Sequence, residues 1–399
     1  MKMAQEKEKI LIFFDSLLPK EGKILVLLEV KMSFYDEYLK QKDFNVKSYI
    51  ENVKIEDVEK SIKKSKLTIY DFLNMISPKA DSFLEKMAQR AREITLFNFG
   101  KTISLYAPLY LSNYCTNECS YCGFSKKNHL ARKKLTVDEI RVECKSLLES
   151  GIEHLLLLTG EAKEIADVEY MRDAVKIARE YFASVSIEVY PMDSEEYKLL
   201  TAEGADGLTI YQETYNEEVY DKVHISGKKK DFRYRLETPE RGAKAGMRSV
   251  GIGALIGLSE PYYDLFFTAL HAEYLGKKYL ECEVGISMPR INSAEGNFKA
   301  AYEISDREFV RFLLAFRIFL PKSGITVSTR ERKEFRDNLI PLGITRMSAG
   351  SKTSVGGYGE DNGSGEQFDI SDSRSVEEID CAIRAKGYMP IYKDWEMIV

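Results

Sequence analysis

The sequence predicts an α/β fold: a closed eight-stranded parallel barrel, (β/α)8, preceded by helices and followed by a tail of loops and one helix. The length of 399 residues accommodates one barrel of about 250 residues with additions at both ends. Hydrophobic residues make up 44% of the chain, which is an ordinary share for a globular protein with a large core. From residue 102 onward, short apolar and β-branched runs alternate with longer amphipathic segments, as is typical of a parallel sheet.

The region before the barrel, residues 32–98, is predicted to be helical. Apolar residues recur at helical spacing in the segments 58–64, 69–76 and 80–97. Residues 1–31 contain two apolar stretches that are too short to span a bilayer, and we assign this segment no function.

Eight runs between residues 99 and 349 are predicted to be the barrel strands. Residues 155–158 are continuously apolar, as expected for a strand that is covered on both faces. Helices are predicted between the strands at 137–149, where Thr136 and Glu139 have capping-box spacing, and at 168–182. An open doubly wound sheet is the alternative that the sequence leaves open. The predicted strands are 102–112, 154–159, 185–190, 207–211, 249–258, 280–287, 325–328 and 345–348.

Residues 350–399 are predicted to be a tail that closes the site. The segments 350–358 and 361–365 are rich in Gly, Ser and Asn and are typical of loops. A helix is predicted at 376–386 and an extended segment at 388–393. Loops at the strand ends of a barrel build its active site, so the loop part of the tail is either a lid or a plain surface loop.

Charge and cysteine usage narrow the function classes. Lys and Arg number 58 against 63 Asp and Glu, and this net charge of -5, spread along the chain, offers no basic surface for nucleic acid. No apolar stretch is long enough to span a membrane, and the cysteines lack the spacing of a secreted disulfide framework. We therefore expect a cytoplasmic protein that binds a small molecule or another protein. Three scattered cysteines are predicted to be buried structural residues: Cys144, Cys282 and Cys381.

The strongest chemical signal is a C-x3-C-x2-C motif formed by Cys115, Cys119 and Cys122, directly after the first predicted strand. Three thiolates on one short loop can bind three irons of a cuboidal iron–sulfur cluster. No fourth cysteine follows before Cys144, so the fourth iron would be open to a substrate or cofactor. The alternatives are three buried small hydrophobic residues or a structural zinc with His129 as fourth ligand, for which a second C-x2-C or H-x3-H pair is missing.

The motif resembles that of the radical S-adenosylmethionine (radical SAM) superfamily, including the aromatic Tyr121 before the third cysteine and Phe124 after it. The start at 32–36 resembles the usual beginning of its aromatic amino-acid lyase branch. Residues 1–31 are therefore expected to be an extension from a start codon assigned too far upstream. Segments that resemble this branch, or its tyrosine lyases of thiamine biosynthesis, are 105–113, 122–125, 328–331, 347–351, 356–358, 367–368, 372–375 and 393–395.

The resemblance implies a TIM-type barrel with a [4Fe-4S] cluster and S-adenosylmethionine as cofactors. It implies cleavage of the Cα–Cβ bond of L-tyrosine to 2-iminoacetate and p-cresol, with methionine and 5'-deoxyadenosine as further products. A thiazole synthase and an electron donor, flavodoxin or ferredoxin, are the implied partners. The alternative is a related radical lyase that acts on tryptophan or in hydrogenase maturation. The hydrogenase-maturation lyase carries a C-terminal C-x2-C for a second cluster, whereas this C-terminal region has only Cys381.

The resemblance and the strand positions also suggest cofactor-binding residues. Glu161, after the second strand, matches the position that accepts a hydrogen bond from the cofactor amine. Glu188 is a charge in an apolar strand, for which the cationic cofactor is a suitable partner. Glu213 is expected at the ribose hydroxyls or the sulfonium, and Arg235 at the cofactor carboxylate. Further candidates are Gly251, Gly253 and Gly257 for backbone approach to the adenosine, with Arg233 and Arg241 as alternatives to Arg235.

A tyrosine site must bind a carboxylate and an amine and bury a phenol ring. Arg330, at the end of the seventh strand, is predicted to bind the carboxylate because a guanidinium offers a two-point match. Ser348 is predicted to complete the carboxylate or amine site. By the resemblance Tyr110 lies near the amine, and the alternative is a packed core aromatic. The rivals of Arg330 are Arg332, Arg336 and Arg346.

Overall fold

The computed structural model describes residues 32–296, 298–359 and 363–393. The proposed N-terminal extension, residues 1–31, and the ending 394–395 of the tyrosine-lyase resemblance lie outside the described residues. The elements below all belong to one compact unit within residues 34–399.

The strands form a closed parallel barrel. In chain order the strands of the described residues are β1 (Thr102–Ser112), β2 (Glu118–Cys119), β3 (His154–Thr159), β4 (Ser184–Glu188), β5 (Ala205–Thr209), β6 (His224–Ser226), β7 (Ser249–Gly253), β8 (Glu283–Ser287), β9 (Gly324–Val327), β10 (Arg346–Ser348) and β11 (Met389–Ile391). Around the barrel the order is β1, β3, β4, β5, β7, β8, β9 and β10, with every neighbour parallel. Strand β10 pairs with β1 and closes the ring. The predicted barrel is confirmed, and the open doubly wound sheet is excluded.

Two predicted strands are too long. The run 249–258 leaves the ladder after Gly253, and its remaining apolar residues pack as a buried loop over the strand ends. The run 280–287 forms a strand only from Glu283 onward. Leu280 lies in the turn before the strand and is 85% exposed. In both cases the apolar run is longer than the segment whose backbone pairs in the sheet, because apolar residues also occur in loops and turns.

Helices surround the barrel on the outside, and further helices form the lead-in region before it, residues 32–98. The predicted helix at 137–149 is confirmed, and Thr136 and Glu139 form both bonds of its capping box. The predicted helix at 168–182 ends at Arg179. The helices are α1 (Phe34–Gln41), α2 (Val46–Asn52), α3 (Ile55–Lys63), α4 (Ile69–Ile76), α5 (Leu84–Phe99), α6 (Val137–Glu149), α7 (Val168–Arg179), α8 (Ser194–Ala202), α9 (Glu217–Val223), α10 (Phe232–Leu236), α11 (Thr238–Lys244), α12 (Pro261–Lys278), α13 (Asp306–Phe319), α14 (Lys333–Leu339) and α15 (Val376–Ala385). None of the described helices is both long and apolar enough to cross a membrane.

The lead-in helices pack on the barrel through aromatic contacts. Phe72 of α4 meets Phe316 and Phe319 of α13 with ring centroids 4.8 and 5.4 Å apart. Phe34 of α1 stacks on His271 of α12 at 3.9 Å. These contacts join the helical region to the outer helices of the barrel.

The tail is anchored to β1 and α6. The carboxylate of Glu143 on α6 accepts backbone N–H groups from Gly357, Tyr358 and Gly359, with N–O distances of 3.2, 2.7 and 3.1 Å. The Tyr358 hydroxyl donates to the carbonyl of Pro108 in β1 at 2.6 Å. Strand β11, at the end of the tail, pairs with the start of β1.

The burial predicted for the scattered cysteines is only partly right. Cys144 is fully buried, whereas Cys282 is half-buried in the turn before β8 and Cys381 is exposed. Helix α15 buries Val376, its first residue, together with Ile379 and Ile383, and this register directs Cys381 to solvent.

We predict that Glu143→Ala lowers the free energy of unfolding by about 2–3 kcal/mol, because the tail N–H groups lose their buried acceptor. The measurement is chemical denaturation. The matched control is Glu149→Ala, at an exposed position of the same helix, which should change stability by less than about 0.5 kcal/mol. Equal stabilities for the two variants would show that the Glu143 contacts do not anchor the tail.

Candidate active site

A chamber of about 120 Å³ lies at the C-terminal ends of the barrel strands. Every barrel strand or the loop after it contributes lining residues, and so do the cysteine loop and the tail. Among the described residues its charged lining side chains are Glu188, Glu213, Lys229 and Arg330. The aromatic lining side chains are Tyr106, Tyr110, Tyr121, Tyr211 and Phe368.

The three motif cysteines lie on the loop that follows β1, and Cys122 lines the chamber. Strand β2 carries Cys119 and pairs antiparallel with β6, which fixes one side of the loop. A Cβ at Gly123 would lie 2.4 Å from the carbonyl oxygen of Glu366, so only glycine permits the tail to pack directly on this loop.

The thiols of this loop are close enough to influence one another. Burial raises the pKa of Cys119 to about 12, and the other two thiols add to the rise while Lys229 opposes it. Burial and Cys115 likewise raise the pKa of Cys122 to about 11. A cationic iron centre would compensate three converging thiolates, so the donor set fits an iron–sulfur cluster.

The zinc alternative receives no support from this geometry. His129, its fourth ligand, is exposed, whereas Cys119 is buried. No three His, Cys, Asp or Glu side chains in the described parts of the chain are placed to share one metal ion. A cuboidal cluster makes a different demand, because each thiolate binds a separate iron.

Glu213 is held in a strained backbone conformation beside two cations. Its φ of 71° is the one positive value among the described non-glycine residues, and such a conformation costs about 1 kcal/mol or more. Lys229 Nζ lies 2.7 Å from its carboxylate and Arg235 Nη2 lies 3.5 Å away. Although burial opposes ionisation, these cations hold the pKa of Glu213 below its usual range.

A buried hydrogen-bond cluster fixes the backbone that follows Glu213. Asp264 is fully buried and accepts bonds from the Thr214 hydroxyl at 2.9 Å and the Tyr215 N–H at 2.7 Å. Its second oxygen accepts the Ser259 hydroxyl at 2.7 Å. The cluster thus stabilises the turn in which Glu213 takes its strained conformation.

Three of the four candidate arginines are engaged elsewhere. Arg332 is exposed and pairs with Asp306. Arg336 is fully buried and pairs with Asp372. Arg346, at the start of β10, lines a cavity at the opposite end of the barrel. None of these three side chains lines the chamber.

Arg330 is the arginine that lines the chamber. Its guanidinium lies over the ring of Phe368, with the guanidinium carbon 3.5 Å from the ring centroid. Within the described part of the chain it forms no ion pair with an acidic side chain, and burial lowers its pKa. The hydroxyls of Ser348 and Ser351 also line the chamber, and both are buried without a hydrogen-bond partner. Buried polar groups of this kind normally have partners, so this side of the chamber is suited to a polar ligand.

Tyr110 is both packed and directed to the chamber. Its hydroxyl donates to Gln367 Oε1 at 2.7 Å, and its ring meets Phe124 edge-on at 5.6 Å. Burial and the nearby Glu188 raise its pKa well above the usual value. The hydroxyl therefore stays protonated near neutral pH and links β1 to the tail.

Glu188 ends β4 and is the chamber carboxylate that has no partner among the described residues. It makes no hydrogen bond and no ion pair with any described residue, whereas Glu213 has Lys229 and Arg235. Burial raises the pKa of Glu188 to about 7, and Glu213 adds to the rise while Arg235 and Arg330 oppose it.

Four predicted cofactor residues lie outside the chamber lining. Glu161 lines a neighbouring pocket of about 440 Å³ and accepts a hydrogen bond from Asn117 at 2.7 Å. Arg235 donates to the backbone carbonyl of Tyr211 at 2.7 Å. Gly251 lines the cavity at the other end of the barrel. A Cβ at Gly253 would lie 2.0 Å from the Ser287 carbonyl oxygen, so strand packing alone already requires this glycine.

Sequence reasoning missed the role of Lys229. It stands in the middle of Lys228-Lys229-Lys230, and such a charge run is usually a solvated surface. Here the Lys229 side chain is only 14% exposed and reaches Glu213. No sequence pattern separates it from its two exposed neighbours. Gln367 and Phe368 were noted only as part of a resemblance, although both line the chamber.

We predict opposite stability effects for two arginine substitutions in the protein without ligands. Arg330→Met should raise the free energy of unfolding by about 1 kcal/mol, because it removes a partly buried charge that has no ion pair among the described residues. The matched variant Arg336→Met should lower it by about 2–3 kcal/mol, because Asp372 loses a buried partner. Chemical denaturation of both variants checks this, and equal losses of stability would contradict the assignment of Arg330 as unpaired.

Comparison with known proteins identifies the family. Residues 109–266 match the radical SAM superfamily, and residues 287–389 match the Biotin and Thiamin Synthesis associated domain. The 2-iminoacetate synthase of Escherichia coli (strain K12) is 42% identical over 341 residues, which are 85% of this chain and 90% of that relative. The 3-methylornithine synthase of Methanosarcina barkeri (strain Fusaro / DSM 804) is 32% identical over 170 residues, or 42% of this chain and 48% of that protein. The crystal structure of HydG, a maturase of the [FeFe]-hydrogenase, superposes with a TM-score of 0.82 at 32% identity and covers 88% of this chain and 80% of that chain. The chain belongs to the radical SAM superfamily, in the family that contains the 2-iminoacetate synthases.

Proposed function

We propose that this protein cleaves the Cα–Cβ bond of L-tyrosine to 2-iminoacetate and p-cresol, for synthesis of the thiamine thiazole. The observation that carries the proposal is the chamber, which combines an unpaired guanidinium and an unpaired carboxylate with aromatic walls beside Cys122. An aromatic amino acid has the matching chemistry: two opposite charges at one end and a ring at the other. The 42% identity to a 2-iminoacetate synthase over 90% of its length supports tyrosine as the substrate.

The protein is a radical SAM enzyme with a [4Fe-4S] cluster and S-adenosylmethionine as cofactors. When bound, these supply a carbon-centred radical that removes a hydrogen atom from the substrate. We propose that Cys115, Cys119 and Cys122 hold the cluster. Glu161, Glu213 and Arg235 are the proposed polar contacts of S-adenosylmethionine, with the backbone at Gly251 and Gly253 along the adenosine.

Substrate binding is assigned to the side of the chamber formed by β9, β10 and β1. Arg330 would bind the substrate carboxylate through two parallel hydrogen bonds, and Phe368 holds the plane of its guanidinium. The unpartnered hydroxyls of Ser348 and Ser351 are available to the same head group. Tyr110 would stand beside the amine, in a position fixed by Gln367.

Exclusion of water is the second task of the chamber. A carbon-centred radical reacts with the nearest hydrogen donor, so the substrate must be held in one orientation without free solvent. Leu156, Leu158, Tyr106 and Tyr211 offer an apolar wall for the phenol ring. We propose that residues 350–399 close the site over a barrel of residues 99–349, with residues 32–98 as the helical region. Thr353, Gln367 and Phe368 of the tail line the chamber.

The alternative function is a related radical lyase, of the hydrogenase-maturation type or specific for tryptophan. The likeness to HydG favours it, at 32% identity over 80% of that chain. The identity to the 2-iminoacetate synthase is higher and covers more of the relative, at 42% and 90%. The products separate the two functions.

The partners follow from the reaction. A cluster that must be reduced requires an electron donor, for which flavodoxin or ferredoxin is suited. The reactive 2-iminoacetate would pass to a thiazole synthase, and both steps would take place in the cytoplasm. These partners and this location are proposals from the chemistry of the product and the cofactor.

The test is anaerobic reconstitution with iron and sulfide, then incubation with reductant, S-adenosylmethionine and tyrosine. We expect p-cresol and 5'-deoxyadenosine together, and Cys115→Ala, Cys119→Ala or Cys122→Ala should abolish both, because each removes a cluster ligand. The matched control is Cys381→Ala, which alters an exposed cysteine on α15 and should retain activity.

Two results would contradict the proposal. Formation of 5'-deoxyadenosine without p-cresol would keep the radical chemistry but reject tyrosine as the substrate. Retention of p-cresol formation in the cluster-cysteine variants would reject the assigned ligands.

A further inference from the structure

We propose that Glu188 binds the ammonium group of the substrate and accepts its proton, which makes it a catalytic base. This inference rests on the proposed function and deepens it. It replaces the sequence-based expectation that Glu188 pairs with the cofactor.

The barrel places Glu188 and Arg330 on opposite sides of the chamber. Glu188 is the last residue of β4, and Arg330 follows β9. In the closed ring β4 and β9 are four strands apart in either direction, which is the largest separation that eight strands allow. Both side chains line the chamber, and each influences the ionisation of the other.

The two opposite charges remain apart. No ion pair joins Glu188 to Arg330 in the described structure, although their charges interact across the chamber. Both charges are partly buried, and because they do not meet, neither offsets the desolvation cost of the other. An α-amino acid head group carries the complementary pair, a carboxylate for Arg330 and an ammonium for Glu188. The substrate would therefore complete both ion pairs at once.

The other carboxylates near the cluster loop are already engaged. Glu213 is bound by Lys229 and Arg235, and Glu161 accepts a bond from Asn117. Glu188 alone among these three has neither a hydrogen bond nor an ion pair with the described residues. It is therefore the carboxylate best placed to receive a cation inside the chamber.

The reaction requires a group that takes one proton from nitrogen. Tyrosine enters as a zwitterion with an ammonium group, and 2-iminoacetate carries a neutral imine nitrogen and an ionised carboxylate. In the proposed step the N–H bond of the ammonium breaks and an O–H bond forms on the Glu188 carboxylate, with no change in electron count. The neutral nitrogen keeps its lone pair, which 2-iminoacetate retains, and the C=N bond forms from the unpaired electron left by hydrogen-atom removal and one electron of the breaking Cα–Cβ bond.

The surroundings of Glu188 suit this exchange. Burial raises its pKa to about 7, so both protonation states are accessible near neutral pH. The ionisable groups that face it from the neighbouring elements are Tyr106 and Tyr110 of β1, Tyr211 and Glu213 after β5, Lys229, Arg235 and Arg330. The tyrosines have raised pKa values and stay neutral, which leaves the exchange to Glu188.

The test compares the reconstituted wild type with Glu188→Gln and Glu188→Asp. Because Glu188 must be ionised to accept the proton, the wild-type kcat/KM for tyrosine should rise with pH through an apparent pKa near 7. Glu188→Gln should lower p-cresol formation by about 100-fold or more and remove this limb of the pH profile. Glu188→Asp should restore part of the rate of p-cresol formation and the rise of kcat/KM with pH. All variants should still form 5'-deoxyadenosine from S-adenosylmethionine when tyrosine is absent.

Glu195→Gln, at an exposed position of α8, is the matched control and should behave as the wild type. An unchanged rate and pH profile in Glu188→Gln would overturn the inference. Loss of tyrosine-independent 5'-deoxyadenosine in that variant would also overturn it, because Glu188 would then serve the cofactor. A wild type that makes no p-cresol at any pH would instead reject the proposed function itself.

Discussion

Closure of the parallel sheet is the constraint on which the site depends. Because every barrel strand runs in the same direction and β10 pairs with β1, all strand ends meet on one rim. Side chains that are more than 100 residues apart in the chain, such as Glu188 and Arg330, thereby face one enclosed space. The cysteine loop is the extension of the first strand over the same rim, so Cys122 and the charged residues line one chamber.

In and around that chamber, the difference between paired and unpaired charges is the basis on which we propose which residues are structural and which bind ligands. Arg336 and Asp372 satisfy each other inside the protein, as do Lys229 and Glu213. Among the described residues Arg330 and Glu188 have no such ion pair, and the buried hydroxyl of Ser348 also has no hydrogen-bond partner there. Such groups cost stability in the free protein and are compensated when a ligand supplies the opposite charge. We propose that the same uncompensated charges that make the chamber costly also make it selective for a zwitterion.

The sequence predicts what is local or periodic, and it fails where pairing is tertiary. The barrel strands follow from apolar runs, and the capping box of Thr136 and Glu139 follows from a three-residue spacing. The choice among four arginines does not follow, because it depends on partners such as Asp306 and Asp372 that lie 26 and 36 residues away. Lys229 was missed for the same reason: only the fold brings it to Glu213. The cysteine motif is the exception, since its ligands are adjacent in the chain and their spacing alone indicates the chemistry.

We propose that opposite charges across the chamber recognise both ends of an amino-acid head group. Anaerobic binding of three ligands to the reconstituted enzyme tests it most directly: tyrosine, tyramine, which lacks the carboxylate, and 3-(4-hydroxyphenyl)propanoate, which lacks the amine. We expect each truncated ligand to bind at least about 100-fold more weakly than tyrosine, because each leaves one partly buried charge without its ion pair. Equal affinity for tyrosine and either truncated ligand would contradict it.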